Sequence, residues 1–433
     1  MKIAIIGAGA AGLAAAFDLA GQGHAVTVYE AAPNVGGLAS GFKEPHWDWT
    51  VERFYHHWFQ SDHDVLKLID EIGASDKVRF VKTVTAVYDR GKFYAFDSIL
   101  SQLLYPGLPL LDKLRAGPAR FYLRLTRNWQ PLEQVTAHEW LRKWTGQHAY
   151  ERLVEPLLVS KFGEEYYREV NMAWFWARAH SRTKWLGTFV GGFQAFFETL
   201  ADAVRERGAA IQLSSAVREI APRESGGLTL HTPAGPVDYD AGLVTTSPRL
   251  LTRLAPSLPA SYLAQLNALK SMGAVVMILS LTHQLSESGI YWHNLPKGEG
   301  FPFLAMCEHT NFVAPDYFGG DHLIYCGDYL LPDHEYFKLT QDELLERFLP
   351  ALPRFNPKFD RSWIKKTWLF REAYAQPVPP VNHSRSIPDV RTPIPGIYFA
   401  SMSQVYPWDR GTNYAVELGR RTARLIVSDA KSV

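Results

Sequence analysis

Cysteine is almost missing from this chain: its 433 residues include two, Cys307 and Cys326. Two thiols cannot build a disulfide framework or a four-cysteine zinc site, and such sparse use fits a reducing cytoplasm, although adjacent strands could still pair them. Net charge is lacking too, because 45 Lys and Arg against 44 Asp and Glu leave +1 at pH 7. Without a bulk positive field we expect no nucleic-acid partner. No apolar run reaches the roughly 18 residues that cross a bilayer. The strongest run, residues 273–281, has the length and β-branched content of a strand. Internal repeats, low-complexity tracts and long linkers are absent, which excludes solenoids and strings of small domains. The apolar N-terminal start is interrupted by glycines and by Asp18, so we expect no secretory leader.

What is present begins at the N-terminus. An apolar strand, residues 2–6, runs into Gly7-Ala-Gly9-Ala-Ala-Gly12, then a helical pattern with Leu13, Ala16, Phe17 and Ala20 on one face, then a second strand ending at Glu30. In such a unit Gly7 permits the tight turn, Gly9 lets backbone approach a pyrophosphate, and Gly12 lets the helix pack closely on the strand. The free N–H groups of the helix start face the anion, and Glu30 stands about 20 residues on, where a carboxylate can accept from ribose hydroxyls. A bound dinucleotide is implied. At 47% hydrophobic content, a chain of this length suits two intertwined domains.

Further along, Gly36-Gly37 opens a loop that leads into an aromatic and histidine-rich segment, residues 47–58. Residues near 98–190 read as mostly helical. Gly191-Gly192-Phe193 begins an amphipathic helix closed by Gly208, with short strands at 210–213 and 217–220, a hairpin layer at 228–239 and a buried strand at 242–246. Strand-like runs dominate from 269 to 368, with a helix near 342–349. The last segment is again strand, loop and helix, from Gly396 through Pro407-Trp-Asp-Arg410-Gly411 to a helix over 413–426. Residues 99–128 mix leucines with Lys113, Arg115, Arg120, Arg124 and Arg127. They admit a weak peripheral membrane contact, but Pro106, Pro109 and Pro118 favour broken helices with a solvated basic face.

Three separated blocks, residues 7–37, 191–217 and 396–419, together resemble the flavin-dependent amine oxidase group that includes monoamine oxidase, protoporphyrinogen oxidase and phytoene desaturase. The resemblance implies an α/β fold. A Rossmann-type FAD domain would be made of residues 1–85, 186–255 and 385–430, and a substrate domain of a helical part, 86–185, and a sheet part, 256–384. It implies non-covalently bound FAD, with Gly7, Gly9 and Gly12 at the pyrophosphate, Glu30 at the ribose, Gly36 and Gly37 near the flavin phosphates, and Val217 at the adenine. The helix starting at Gly411, Thr412 and Asn413 would direct its positive end at the flavin. The chain departs from the family pattern at Leu38, where an Arg is frequent, and at Ala400-Ser401-Met402, where an acid is. Shorter stretches, Tyr55-His56-His57, residues 91–96, and Tyr406 with Trp408, are similar to UDP-galactopyranose mutase.

With a single dinucleotide fingerprint, we expect electrons to enter from the substrate, not from a nicotinamide cofactor. The expected function is dehydrogenation of an apolar or cyclic small molecule by hydride transfer to flavin N5, with reoxidation by oxygen or another acceptor. The alternative is a redox-neutral, flavin-dependent nucleotide-sugar mutase. His56, His57, Tyr406 and Arg410 are the expected catalytic residues, the first two because His exchanges protons near neutral pH, the others because they precede the flavin-capping helix. Arg53, Arg178, His180, Arg182 and Lys184 are candidates for a basic lining, and residues 291–294 and Tyr374 for cavity walls. Metal binding is not expected, since adjacent strand residues point apart.

Overall fold

The computed structural model describes residues 1–431, with the backbone alone at Ile99. Five short, apolar strands form the sheet of the nucleotide half, in the spatial order Ala210–Gln212, Ala25–Tyr29, Lys2–Ile6, Ala241–Val244 and Ile397–Phe399. Every pairing in it is parallel. Parallel sheets are covered on both faces, and Ile3, Ile5, Val28, Leu243 and Phe399 are accordingly fully buried. Helices Ala10–Gly21, Phe193–Glu206 and Thr412–Ala430 cover one face through Leu13, Phe17, Phe196, Leu200, Val416 and Leu418. The antiparallel strands Glu219–Pro222, Leu228–Thr232 and Gly235–Tyr239, with helices Pro248–Leu254 and Ala260–Ala268, cover the other. One sheet is thus assembled from four separate stretches of chain, which brings the N-terminal turn beside the C-terminal helix.

The second half rests on a seven-stranded sheet in the order Ile364–Pro377, Ser271–Leu281, His322–Leu330, Ala305–Glu308, Ile290–Asn294, Val84–Asp89 and Lys92–Ala95. A helical lobe packs against it through Leu141, Leu158, Phe162, Trp174 and Trp176. The expected helical stretch from residue 86 therefore opens with two strands that join the large sheet, and Val217 sits in a loop just before its strand. The two cysteines do not pair: both are free and buried. Their strands are neighbours, but Met306 lies opposite Cys326 and Cys307 opposite Tyr325, so alternation sends the two thiols to opposite faces.

Residues 99–128 correct a further expectation. Pro106 and Pro109 do separate helix Ile99–Leu104 from the next, but Leu110–Leu125 runs on through Pro118. Pro118 and Leu114, whose carbonyl it leaves unpaired, both lie on the exposed face, where water can satisfy that oxygen.

Candidate active site

The N-terminal turn forms a cradle. A Cβ at Gly12 would come within 2.0 Å of the Gly7 carbonyl oxygen, so only glycine lets the helix start this close to the strand end. A Cβ at Gly9 would meet nothing nearer than the Gly37 Cα, at 3.8 Å, so the two glycine loops face each other across a narrow cleft. The loops are tied together by the Gly36 amide, which donates to the Ala8 carbonyl at 2.9 Å. Glu30 closes the side, its carboxylate accepting from the Ala8 amide at 2.8 Å and the Ala32 amide at 2.9 Å. The Ser215 amide donates to the Glu30 carbonyl at 2.8 Å, which ties the stretch leading to Val217 to the end of the second strand. No side chain caps the helix that begins at Ala10, so its first amides remain open to an anion.

The C-terminal helix offers a second uncapped start, behind Gly411. Its first side chains are occupied elsewhere. Thr412 Oγ1 accepts from Trp58 Nε1 at 2.8 Å, and Asn413 Oδ1 accepts from the Asp64 and Val65 amides at 2.9 and 3.0 Å. These bonds pin the helix end while leaving its backbone amides and positive dipole end toward the interior.

A chamber of about 120 Å³ adjoins this helix end, and a cavity of about 850 Å³ continues from it. His57, Phe59, Lys161, Arg178, Arg182 and Trp292 line both spaces. His56, Arg410, Gly411, Thr412 and Asn413 line the inner chamber, so three of the four expected catalytic residues meet at one place. Tyr406 does not join them. Its hydroxyl donates to Glu133 Oε2 and accepts from Asn171 Nδ2, both at 3.0 Å, in the core of the helical lobe. Arg178, Arg182 and Lys184 reach the cavity lining, as do Tyr291, Trp292 and Asn294, whereas Arg53, His180 and Tyr374 do not.

The chamber is rich in cations. Arg178 Nη1 donates to Asp409 Oδ2 at 2.5 Å, with Trp174 Nε1 on the other carboxylate oxygen at 3.1 Å. Burial alone would raise the Asp409 carboxyl, but the Arg178 and Arg410 guanidinium groups outweigh it and hold it well below the usual range. Arg410 donates to Gln376 Oε1 at 3.0 Å and to the Tyr329 hydroxyl. Lys161 lies 4.4 Å from the centre of the Tyr329 ring, and burial together with Arg178 and Arg410 drives its ammonium pKa far down. Its charged form is thus disfavoured where it stands. Burial lowers Arg182 to about 9, which still leaves it charged at neutral pH. His56 falls to about 4 through burial, and His57 to about 3 through burial and the adjacent Arg182 charge. Both rings are neutral at pH 7. The His56 Nδ1–H donates to the Phe54 carbonyl at 2.6 Å, which leaves Nε2 as an acceptor.

Lys161 and Tyr329 were not singled out from sequence. The available signal was a lone Lys closing the apolar run Leu157-Leu158-Val159-Ser160. The residues fit a flavin dinucleotide: a glycine cleft, a carboxylate beside it, two uncapped helix starts, and a buried polar atom without a partner in the chamber lining, His57 Nδ1.

A family model described as flavin containing amine oxidoreductase matches residues 10–427. A protein of Synechococcus elongatus named "Probable zeta-carotene desaturase" is 25% identical over 269 residues, 56% of either chain. A 15-cis-phytoene desaturase of the same organism is 28% identical over 184 residues, 37% of this chain and 36% of the relative. The matches thus span about half or less of these curated relatives. Among solved structures, a candidate protoporphyrinogen oxidase from Exiguobacterium sp. 255-15 superposes with TM-score 0.77 at 20% identity, covering 99% of both chains. Cyclohexylamine oxidase from Brevibacterium oxydans IH-35A gives 0.75 at 17%, and putrescine oxidase bound to putrescine 0.73 at 18%, each over 99% of both chains. The glycine cradle, the paired helix starts and this match along nearly the whole length lead to one conclusion: the chain belongs to the flavin containing amine oxidoreductase family, whose cofactor is FAD.

Proposed function

We propose that this oxidoreductase dehydrogenates an apolar, cyclic substrate that carries an anionic group, by hydride transfer to flavin N5 with reoxidation by oxygen or another acceptor. The observation that supports this best is the lining of the larger cavity. Aromatic walls stand there beside Arg120, Arg124, Arg182 and Lys184, with Asp97 as the one carboxylate residue among its lining residues. A carboxylate or phosphate gains charge-assisted hydrogen bonds in such a place, whereas a protonated amine meets repulsion.

FAD, when bound by the Gly9 and Gly37 cleft, Glu30 and the helix start at Thr412, supplies a two-electron acceptor. The chain's own groups do the rest. Arg182 orients the substrate anion, while Phe59, Tyr291 and Trp292 exclude water. Dehydrogenation releases a proton along with the hydride, and Lys161 Nζ, which lines both spaces and whose charged form burial disfavours, takes it. His56 Nε2 accepts a hydrogen bond and holds the substrate's polar end. The amides of the C-terminal helix start stabilise negative charge as it develops nearby. The redox-neutral mutase alternative finds no support in the relatives named above, and two free, buried thiols favour a cytoplasmic setting.

The test is anaerobic stopped-flow reduction of the holoenzyme by a cyclic carboxylic acid and its methyl ester. The acid should bleach the flavin at least about tenfold faster, and Arg182→Gln should remove that preference. An ester that reduces the flavin as fast as its acid, or rapid reduction by primary amines, would overturn the anionic assignment.

A further inference from the structure

Of the thirteen large apolar side chains exposed on the described chain, nine fall between residues 100 and 125. In helix Leu110–Leu125, Leu111 is 79% exposed, Leu114 61%, Phe121 66% and Leu125 61%. At 100° per residue these positions, with Pro118 and Tyr122, lie on a single stripe that faces away from the protein. The helix is apolar on two sides: Ala119 and Leu123 are buried against the lobe, while the stripe opposite them has no cover within the chain. The exposed Arg115, Arg120 and Arg124 flank the stripe, Arg115 donating to the Lys143 carbonyl at 2.9 Å and Arg120 and Arg124 reaching the cavity wall. A helix on a water-facing surface keeps its outward face polar. Arg115, Arg120, Arg124 and Arg127 are exposed, as expected from sequence, but they border an outward apolar stripe and not a wholly polar surface.

We propose that this stripe, with Leu100, Leu103 and Leu104 of the preceding helix, docks on an anionic lipid bilayer and that the cavity opens toward that surface. Three observations favour lipid as the occupant. First, residues 99–128 hold five cations against the single acid Asp112, a local excess of four in a chain whose net charge is +1. Anionic headgroups complement that charge, whereas a two-fold copy of this chain would set five cations against five. Second, the partly exposed aromatics Tyr122, Trp144 and Trp185, at 46%, 50% and 43%, gather around the stripe, as amphipathic rings do at a bilayer interface. Third, Leu100, Gln102, Arg120 and Arg124 belong both to these helices and to the cavity wall. An amphiphile would thus enter tail and ring first from the lipid, without crossing water.

The inference is independent of which substrate reacts. It is tested by flotation of the full-length holoenzyme with vesicles of equal parts phosphatidylcholine and phosphatidylglycerol, comparing wild type with the double variant Leu111→Glu/Phe121→Glu. Both side chains are exposed, so the variant should keep its flavin and its melting temperature, and these are measured alongside. Wild type should float with the vesicles and the double variant at least about tenfold less. Wild type that stays at the bottom of the gradient, or a variant that floats equally well, would overturn the proposal. So would a lipid-free dimer that the double substitution splits into monomers, since the stripe would then be a contact between copies.

Discussion

Replacing Asp409 by Asn isolates the charge balance of the inner chamber. The carboxylate is 20% exposed, its partner Arg178 8%, and they meet at 2.5 Å. The substitution keeps the shape of the side chain and its bond from Trp174, but it leaves Arg178 beside Arg182 and Arg410 without the chamber's central anion. Breaking a buried ion pair on one side costs about 3 kcal/mol at the lower end of the usual range, the end chosen here because Asp409 keeps some access to water. Unfolding entropy near 2.1 cal/mol/K per residue over 433 residues gives about 0.9 kcal/mol/K, so the melting temperature should fall by about 3 °C if the chain unfolds as one unit. The assay is a thermal melt followed by flavin fluorescence at saturating FAD, which holds ligand linkage constant. The double variant Asp409→Asn/Arg178→Gln should recover part of the loss, because the stranded cation has gone. An Asp409→Asn protein that melts with wild type, or a double variant whose loss is the sum of the two singles, would refute the reasoning.

Gly12→Ala should yield protein without flavin, since its Cβ would lie 2.0 Å from the Gly7 carbonyl oxygen; the ratio of visible to ultraviolet absorbance of the purified variant reads this directly. Arg182→Gln should raise KM for an anionic substrate by about ten- to a hundredfold, the worth of one charge-assisted hydrogen bond, with a smaller change in kcat from steady-state assays. Stability should fall on acidification. His56 and His57 have folded pKa values of about 4 and 3 against 6.5 unfolded, so below 6.5 the unfolded chain binds protons that the folded chain refuses, and the loss grows down to about 3. Melting temperatures across that window should show this slope, and His56→Gln/His57→Gln should flatten it. Acid precipitation should release the flavin into the supernatant, as non-covalent binding requires; flavin retained in the pellet would contradict it.

The nucleotide half was legible because its constraints are local. Gly7, Gly9, Gly12 and Glu30 act within one strand, turn, helix and strand unit, and periodicity placed the helices beginning at Phe193 and Thr412 to within a residue or two. The catalytic half was legible only in part, because its members meet through tertiary contacts. His56, His57 and Arg410 stand in loops flanking the cofactor blocks, so their proximity could be inferred, but Tyr406 in the same loop turns into the helical lobe to reach Glu133 and Asn171. Lys161 carries no local mark beyond its apolar neighbours. The long strand Ile364–Pro377 was legible only as far as Trp368, because Lys365, Lys366, Arg371 and Glu372 give it no clean alternation. For helix Leu110–Leu125 the exposed basic residues were legible, but not the outward course of its leucines, because periodicity identifies an apolar stripe and not whether that stripe faces protein or the surroundings.

The central claim is a two-electron oxidation carried out beside the C-terminal helix start. A single anaerobic turnover, with product mass and flavin spectrum recorded on the same sample, tests it most directly. The account predicts one substrate molecule lighter by two hydrogens for each flavin reduced. A product of unchanged mass, formed while the flavin ends in the redox state in which it began, would contradict it.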